Sequence, residues 1–174
     1  FPFMVKMRPL LLSVEAGAVS RQSSKSKLSE IRKKIIAGES FGELATLYSQ
    51  DPGSRQNGGS LGSVRRGSLV PEFETVAFSQ DVGIVSEIVE TQFGYHIIET
   101  EEKRGEKIRV RHILLVPEIT EEDESLSYRF ALTLKDSASS LVAFMRLAAD
   151  HSKDVQTKEI GGDLGWINPN NSPI

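Results

Sequence analysis

Residues 5–13 read as a short buried strand, ending in the aliphatic run Leu10-Leu11-Leu12. Helical spacing follows over residues 23–37, where Leu28, Ile31 and Ile35 form one apolar stripe, and Gly38 suits the left-handed position past the helix end. Ser40-Phe41-Gly42-Glu43 has the form of a capping box, with Phe41, Leu44, Ala45 and Tyr48 lining the helix it opens. Residues 49–62 are dense in Gly, Ser, Asp, Asn and Pro and read as a long ordered loop, a place where function often resides. Pro71 is placed to begin a third helix carrying Phe73, Val76 and Ala77. Residues 86–91 and 95–101 then alternate as two strands about a Gln92-Phe93-Gly94 turn.

The same pattern begins a second time. Displaced by 103 positions, the step from Pro9 to His112, the chain matches itself without gaps. Arg8, Leu11 and Leu12 fall on Arg111, Leu114 and Leu115. Phe41, Leu44, Ala45, Ser49 and Asp51 fall on Phe144, Leu147, Ala148, Ser152 and Asp154. Gly58-Gly59-Ser60-Leu61-Gly62 falls on Gly161-Gly162-Asp163-Leu164-Gly165. The second copy stops at Ile174, the equivalent of Pro71, so its last third is expected to lie outside this sequence. The polar stretch around Arg104-Gly105-Glu106 has no apolar period and fits a boundary. The expected division is a complete domain over residues 1–102, a linker over 103–107 and a C-terminally truncated domain over 108–174.

Composition narrows the possible functions. At 174 residues with 39% hydrophobic and 26% charged residues, the chain has material for one ordinary domain or two small ones. A formal charge of −3 supplies no sustained positive field, which argues against nucleic acid as a partner. Cysteine is absent, which removes disulfides, thiolate metal sites and a cysteine nucleophile. No aliphatic run is long enough to span a bilayer, and no signal segment opens the sequence. A start at Phe1 without an initiator Met is expected of a fragment or processed product. Three scattered histidines without matching carboxylate spacing do not form a metal site, and His151 reads as a surface or capping residue.

Phe41-Gly42-Glu43-Leu44-Ala45, Tyr48-Ser49-Gln50-Asp51-Pro52, Gly58-Gly59-Ser60-Leu61-Gly62, Pro71-Glu72-Phe73, Ala77-Phe78 and Phe93-Gly94-Tyr95-His96-Ile97-Ile98 stand in order over most of residues 5–102. Arg111-His112-Ile113-Leu114-Leu115 opens the second copy. Together they resemble the parvulin-type (PpiC, or rotamase) peptidyl-prolyl cis-trans isomerases, and the tandem arrangement resembles the SurA-like periplasmic chaperones. The resemblance implies an α+β fold: a parvulin-like antiparallel four-stranded sheet surrounded by helices, in tandem, with the second copy truncated. It also implies isomerisation of X-Pro bonds without a cofactor, in the periplasm, on unfolded, outer-membrane-bound clients. The expected partners are extended polypeptides containing proline and aromatic residues.

Carried over from the resemblance, Asp51, Thr91 and His96 would be catalytic, and Leu61, Leu69, Phe73 and Phe93 would hold the proline. Read from the residues alone, Leu61 and Phe73 are equally core positions, Asp51 a loop or cap aspartate, and Thr91 a β-branched strand residue. The family pairs His96 with a histidine of the first strand, and that position is Pro9. The pair is therefore expected to be broken in the first copy. In the second copy, His112, Asp154 and Leu164 match the pattern, while the remaining partners fall beyond Ile174. If the pair acts as acid and base, its loss would remove on the order of 10²–10⁴ in rate; if it only stiffens the pocket floor, the loss is milder. Weak isomerase activity is expected, with a non-catalytic peptide-binding chaperone module as the alternative. Arg55, Arg65 and Arg66 read as solvated surface, so no preference for phosphopeptides is expected.

Overall fold

A computed structural model describes residues 4–168. Residues 1–3 and 169–174, the outer ends of the two expected domains, lie outside the described residues. The elements in chain order are β1 (Val5–Lys6), α1 (Ala18–Ile36), α2 (Phe41–Tyr48), β2 (Ser60–Arg65), α3 (Pro71–Ser79), β3 (Val89–Thr91), β4 (Gly94–Arg104), β5 (Lys107–Leu115), α4 (Glu121–Ser137), α5 (Leu141–His151) and β6 (Trp166–Ile167). Single 3-10 turns at Arg55–Asn57 and Lys158–Ile160 occupy matching places in the two copies.

One compact unit is Ala16–Glu118. Its four-stranded antiparallel sheet has the order β2-β5-β4-β3. Along β4 and β5 the side chains alternate between faces, as the two-residue period of a strand requires. Tyr95, Ile97, Ile113 and Leu115 pack with Leu28, Ile31, Phe41, Leu44 and Ala45 from α1 and α2. Ile98, Ile108 and Val110 pack on the opposite face with Phe73 and Ala77 of α3. His96 and His112 follow the same alternation and stand on the α3 face. Helix α1 starts earlier than its apolar stripe suggests, at Ala18, and ends where expected, with Gly38 at φ +106°. Ser40 Oγ accepts from the Glu43 backbone N–H at 3.4 Å, the hydroxyl half of the expected box.

The other unit comprises Phe1–Glu15 with Ile119–Ile174. Within its described part, β1 and β6 form a two-stranded antiparallel sheet, with Val5 opposite Ile167 and Lys6 opposite Trp166.

This division differs from the one expected at 103–107. That stretch is no linker: Arg104 faces Lys107 across a two-residue hairpin loop whose first residue, Gly105, has φ +56°. A glycine at positive φ in that position is what tight hairpins of type II′ require. The hairpin brings β5 into the centre of the sheet beside β4, so that His112, and not position 9 of residues 5–13, lies on the strand next to His96. Those residues instead form only the short strand Val5–Lys6, which pairs with the second copy. Proline offers a physical reason, since it has no N–H for a ladder and is confined to edges and bulges of sheets. Residues 5–13 carry Pro9, whereas in β5 the His112 N–H donates to Gly59 O at 2.9 Å.

Candidate functional site

The site is assembled on the α3 face of the Ala16–Glu118 unit. His96 lies on β4 opposite Leu114, and His112 lies on β5 opposite Ile98, so the two imidazoles are diagonal neighbours on one face. Their Nδ1 atoms are 3.1 Å apart, with the rings near parallel at an interplanar angle of 14°. His96 Nε2 is 2.8 Å from Thr91 Oγ1, which is held in the β3–β4 turn by accepting from the Phe93 N–H at 3.1 Å. His112 Nε2 is 3.0 Å from Asp51 Oδ2 and 3.0 Å from Ser54 Oγ. Phe73 meets both imidazoles in T-shaped contacts, with centroids 5.4 and 5.5 Å away.

One proton arrangement satisfies the whole chain at neutral pH. An ionised Asp51 only accepts, so His112 donates from Nε2 and leaves Nδ1 as an acceptor. His96 then donates from Nδ1, and its Nε2 accepts from the Thr91 hydroxyl. Burial is the main cause of the histidines' neutrality. It pushes His96 down to about 4, with His112 adding to the fall and Asp51 opposing it. Burial likewise lowers His112, against the hydrogen bond and charge of Asp51, which raise it. For Asp51, burial acts upward but is outweighed by the hydrogen bonds from Ser54, His112 and the Gly53 N–H, so its carboxyl lies below the ordinary value. The result is a buried, uncharged, directional relay ending at a carboxylate.

The loop of residues 49–62 sets Asp51. Ser54, fully buried, donates to Asp51, whose Oδ1 accepts from the Gly53 N–H at 3.1 Å. The loop is fastened to β5, with the Gln50 N–H donating to Leu114 O at 2.8 Å and the Leu114 N–H donating to Ser49 Oγ at 3.2 Å. Gly59, at φ +79°, passes so close that a Cβ there would lie 2.2 Å from His112 O. The double glycine therefore lets the loop cross the histidine strand.

Of the expected proline-holding residues, Phe73 is buried at 3% exposure against the imidazoles, while Leu61 and Leu69 pack, half-buried, on the same cluster. Phe93 stands apart at the turn, 54% exposed. The break expected at Pro9 does not occur in this unit, because His112 fills the partner position. Of the second-copy candidates His112, Asp154 and Leu164, His112 is hydrogen-bonded to Asp51. Asp154 accepts from Thr157 and from the Gln156 N–H, and Leu164 is exposed. Thr157 thus repeats Ser54's bond to its aspartate in the copy of the loop that faces Pro9 in place of a histidine, which marks that bond as part of the loop's own structure. His151 ends α5 and meets Phe130 edge to face at 5.4 Å.

Ser54 and the membership of His112 escaped sequence reasoning. Two signals pointed to the second: a proline within residues 5–13, which are read as a buried strand, and a glycine-led two-residue gap between Arg104 and Lys107. Arg55 donates from Nε to Thr46 O at 2.8 Å, and Arg66 lies over Phe78 at 4.2 Å. Among the described residues, no three His, Asp or Glu side chains gather as a metal ion would need, and no helix is long and apolar enough to cross a membrane.

The model of a family described as "PPIC-type PPIASE domain" matches residues 5–102, and another with that description matches residues 99–173. Chaperone SurA of Chromobacterium violaceum is 43% identical over 95 residues, covering 55% of this chain and 22% of that protein. Foldase protein PrsA of Geobacillus sp. (strain WCH70) is 50% identical over 78 residues, covering 45% of this chain and 28% of that one. A crystal structure of peptidylprolyl isomerase (PrsA) from Bacillus cereus aligns over 86% of this chain and 51% of its own, at 28% identity and a TM-score of 0.44. The chain spans about a quarter of the length of these curated relatives. Both family ranges follow the sequence repeat, whereas the strand pairing crosses it.

Proposed function

Since the chain belongs to the PPIC-type PPIase family, we propose that the Ala16–Glu118 unit is a peptidyl-prolyl cis-trans isomerase acting on X-Pro bonds of unfolded client chains. The observation that carries this reading is the buried relay Thr91–His96–His112–Asp51 beneath Phe73. Rotation about an X-Pro bond faces a resonance barrier of roughly 18–20 kcal/mol and takes tens to hundreds of seconds unaided. No covalent step is needed. A site need only bind the twisted amide better than the planar one. Half-buried Leu61 and Leu69 supply apolar surface for the proline ring, with Phe73 buried beside them and Phe93 at the exposed rim. The relay fixes the polar floor and orients Asp51 where the amide carbonyl loses conjugation.

Clients of this kind are extended chains with proline and aromatic residues, including outer-membrane proteins, met in the periplasm; both assignments rest on the resemblance to SurA-like chaperones. Engagement of Arg55 and Arg66 within the fold supports the absence of a phosphopeptide preference. A holding role without catalysis is favoured only in the other unit, where Pro9 stands in the histidine position and Asp154 makes its side-chain hydrogen bonds with Thr157 and the Gln156 N–H. Proline-limited refolding of a model substrate tests the proposal. The chain should accelerate it, and His96→Ala should abolish most of the acceleration; an unaccelerated reaction at high protein concentration overturns the reading.

A further inference from the structure

The two first strands occupy slots of matching geometry. Within Ala16–Glu118, β5 lies on β2 with Arg109 opposite Ser63 and Ile108 opposite Val64. Displaced by the repeat, the same register recurs between β1 and β6, with Lys6 opposite Trp166 and Val5 opposite Ile167. The fastening of the long loop recurs as well. The Lys153 N–H donates to Leu11 O at 2.8 Å and the Leu11 N–H to Ser152 Oγ at 3.2 Å, as Gln50 and Leu114 do in the other unit. A Cβ on Gly162 would lie 2.3 Å from Pro9 O, as one on Gly59 would lie 2.2 Å from His112 O. Each copy's glycine loop therefore grips the first strand of the other copy, in one geometry.

We propose that Pro9 is the positioning residue that assigns these strands, and that it places His112, rather than the first copy's own strand, beside His96. The central slot is bordered by β2 on one side and β4 on the other, and it uses the N–H of its histidine position to bond Gly59 O. Pro9 has neither that N–H nor an imidazole. Residues 5–13 would enter the slot with one ladder bond missing and the relay cut. Among the described residues β1 pairs on one side alone, which is where a sheet tolerates proline. The loss falls on a buried carbonyl, so it carries a desolvation cost in addition to the missing bond.

The chain has no cysteine, so cross-strand traps can be introduced without interference. Facing positions of paired strands lie within reach of a disulfide. Under mild oxidation of the whole chain, Ser63→Cys with Arg109→Cys should close, and Ser63→Cys with Lys6→Cys should remain reduced. Adding Pro9→His should raise the yield of the Ser63–Lys6 trap about fivefold or more, from the regained hydrogen bond alone. Pro9→Ala, which restores only the N–H, should raise it by about that fivefold factor, and Pro9→His, which also adds the imidazole, by more. A Ser63–Lys6 trap that closes readily with Pro9 present overturns the proposal, as does a yield that Pro9→His leaves unchanged.

The activity arm rests on the isomerase reading. Activity lost in His112→Ala should return in the Pro9→His, His112→Ala double variant, because the introduced imidazole then completes the relay. No recovery, with His112→Ala inactive, counts against the assignment. Undiminished activity in His112→Ala instead overturns the relay reading and leaves the traps to decide the strand question.

Discussion

His96 and His112 share a 3.1 Å contact between their Nδ1 atoms although they belong to different copies of the sequence repeat. The pair is enclosed: His96 is 3% exposed and His112 5% exposed. Through their Nδ1 atoms each imidazole fixes the tautomer of the other, so the relay functions as a unit.

Loss of either histidine should therefore cost as much as loss of both. His96→Ala and His112→Ala are each expected to reduce isomerase turnover by on the order of 10²-fold. The double variant should be no more than slightly worse, as for residues that act together. Additive losses in kcat/KM would show two independent contributions.

Acid should dissolve the site before it unfolds the rest. His96 is lowered from 6.5 to about 4, so the folded state resists its protonation. The stability this provides is fully present above pH 6.5 and is lost as pH falls through about 4. His112 is lowered as well, and once both rings are charged N–H would oppose N–H across the pair. Denaturant midpoints measured between pH 7 and pH 4 should fall, and the fall should be shallower in His96→Asn.

Asp51→Asn should reverse the relay. With its oxygen kept in the Oδ1 place by the Gly53 N–H, the amide nitrogen takes the place of Oδ2 and presents its donors to Ser54 Oγ and His112 Nε2. His112 must then carry its proton on Nδ1, and His96 must move its own to Nε2. Nitrogen chemical shifts of the two rings should report the exchange of tautomers, with turnover reduced about tenfold or more.

Two glycine substitutions separate backbone strain from steric exclusion. At Gly38 the φ is +106° and nothing lies within 4 Å of an added Cβ, so Gly38→Ala should cost about 1 kcal/mol. At Gly59 the φ is +79° and the added Cβ would be 2.2 Å from His112 O. Gly59→Ala should cost roughly 3 kcal/mol or more and reduce turnover, because β5 must withdraw. Equal unfolding free energies for the two variants would contradict the close crossing.

Local signals in the chain were reliable wherever one stretch decides its own conformation. The stripe Leu28, Ile31 and Ile35 placed α1, Pro71 placed the start of α3, and the turn at Gln92-Phe93 placed β3 and β4. Asp51, Thr91, His96 and Phe73 were legible as a set because their motifs keep order and spacing. Ser54 was not, since its approach to His112 depends on how the loop folds over β5.

By itself, the sequence determined the repeat, the element types, the fold class and the residues available to the site. It also carried Pro9, which makes the two first strands unequal at the histidine position. Tertiary structure decided which strand enters the central slot, and so which histidine faces His96. That choice is a competition between two segments of matching pattern for the same non-local hydrogen bonds. Its outcome depends on a backbone N–H meeting Gly59 O, a bond between residues far apart along the chain.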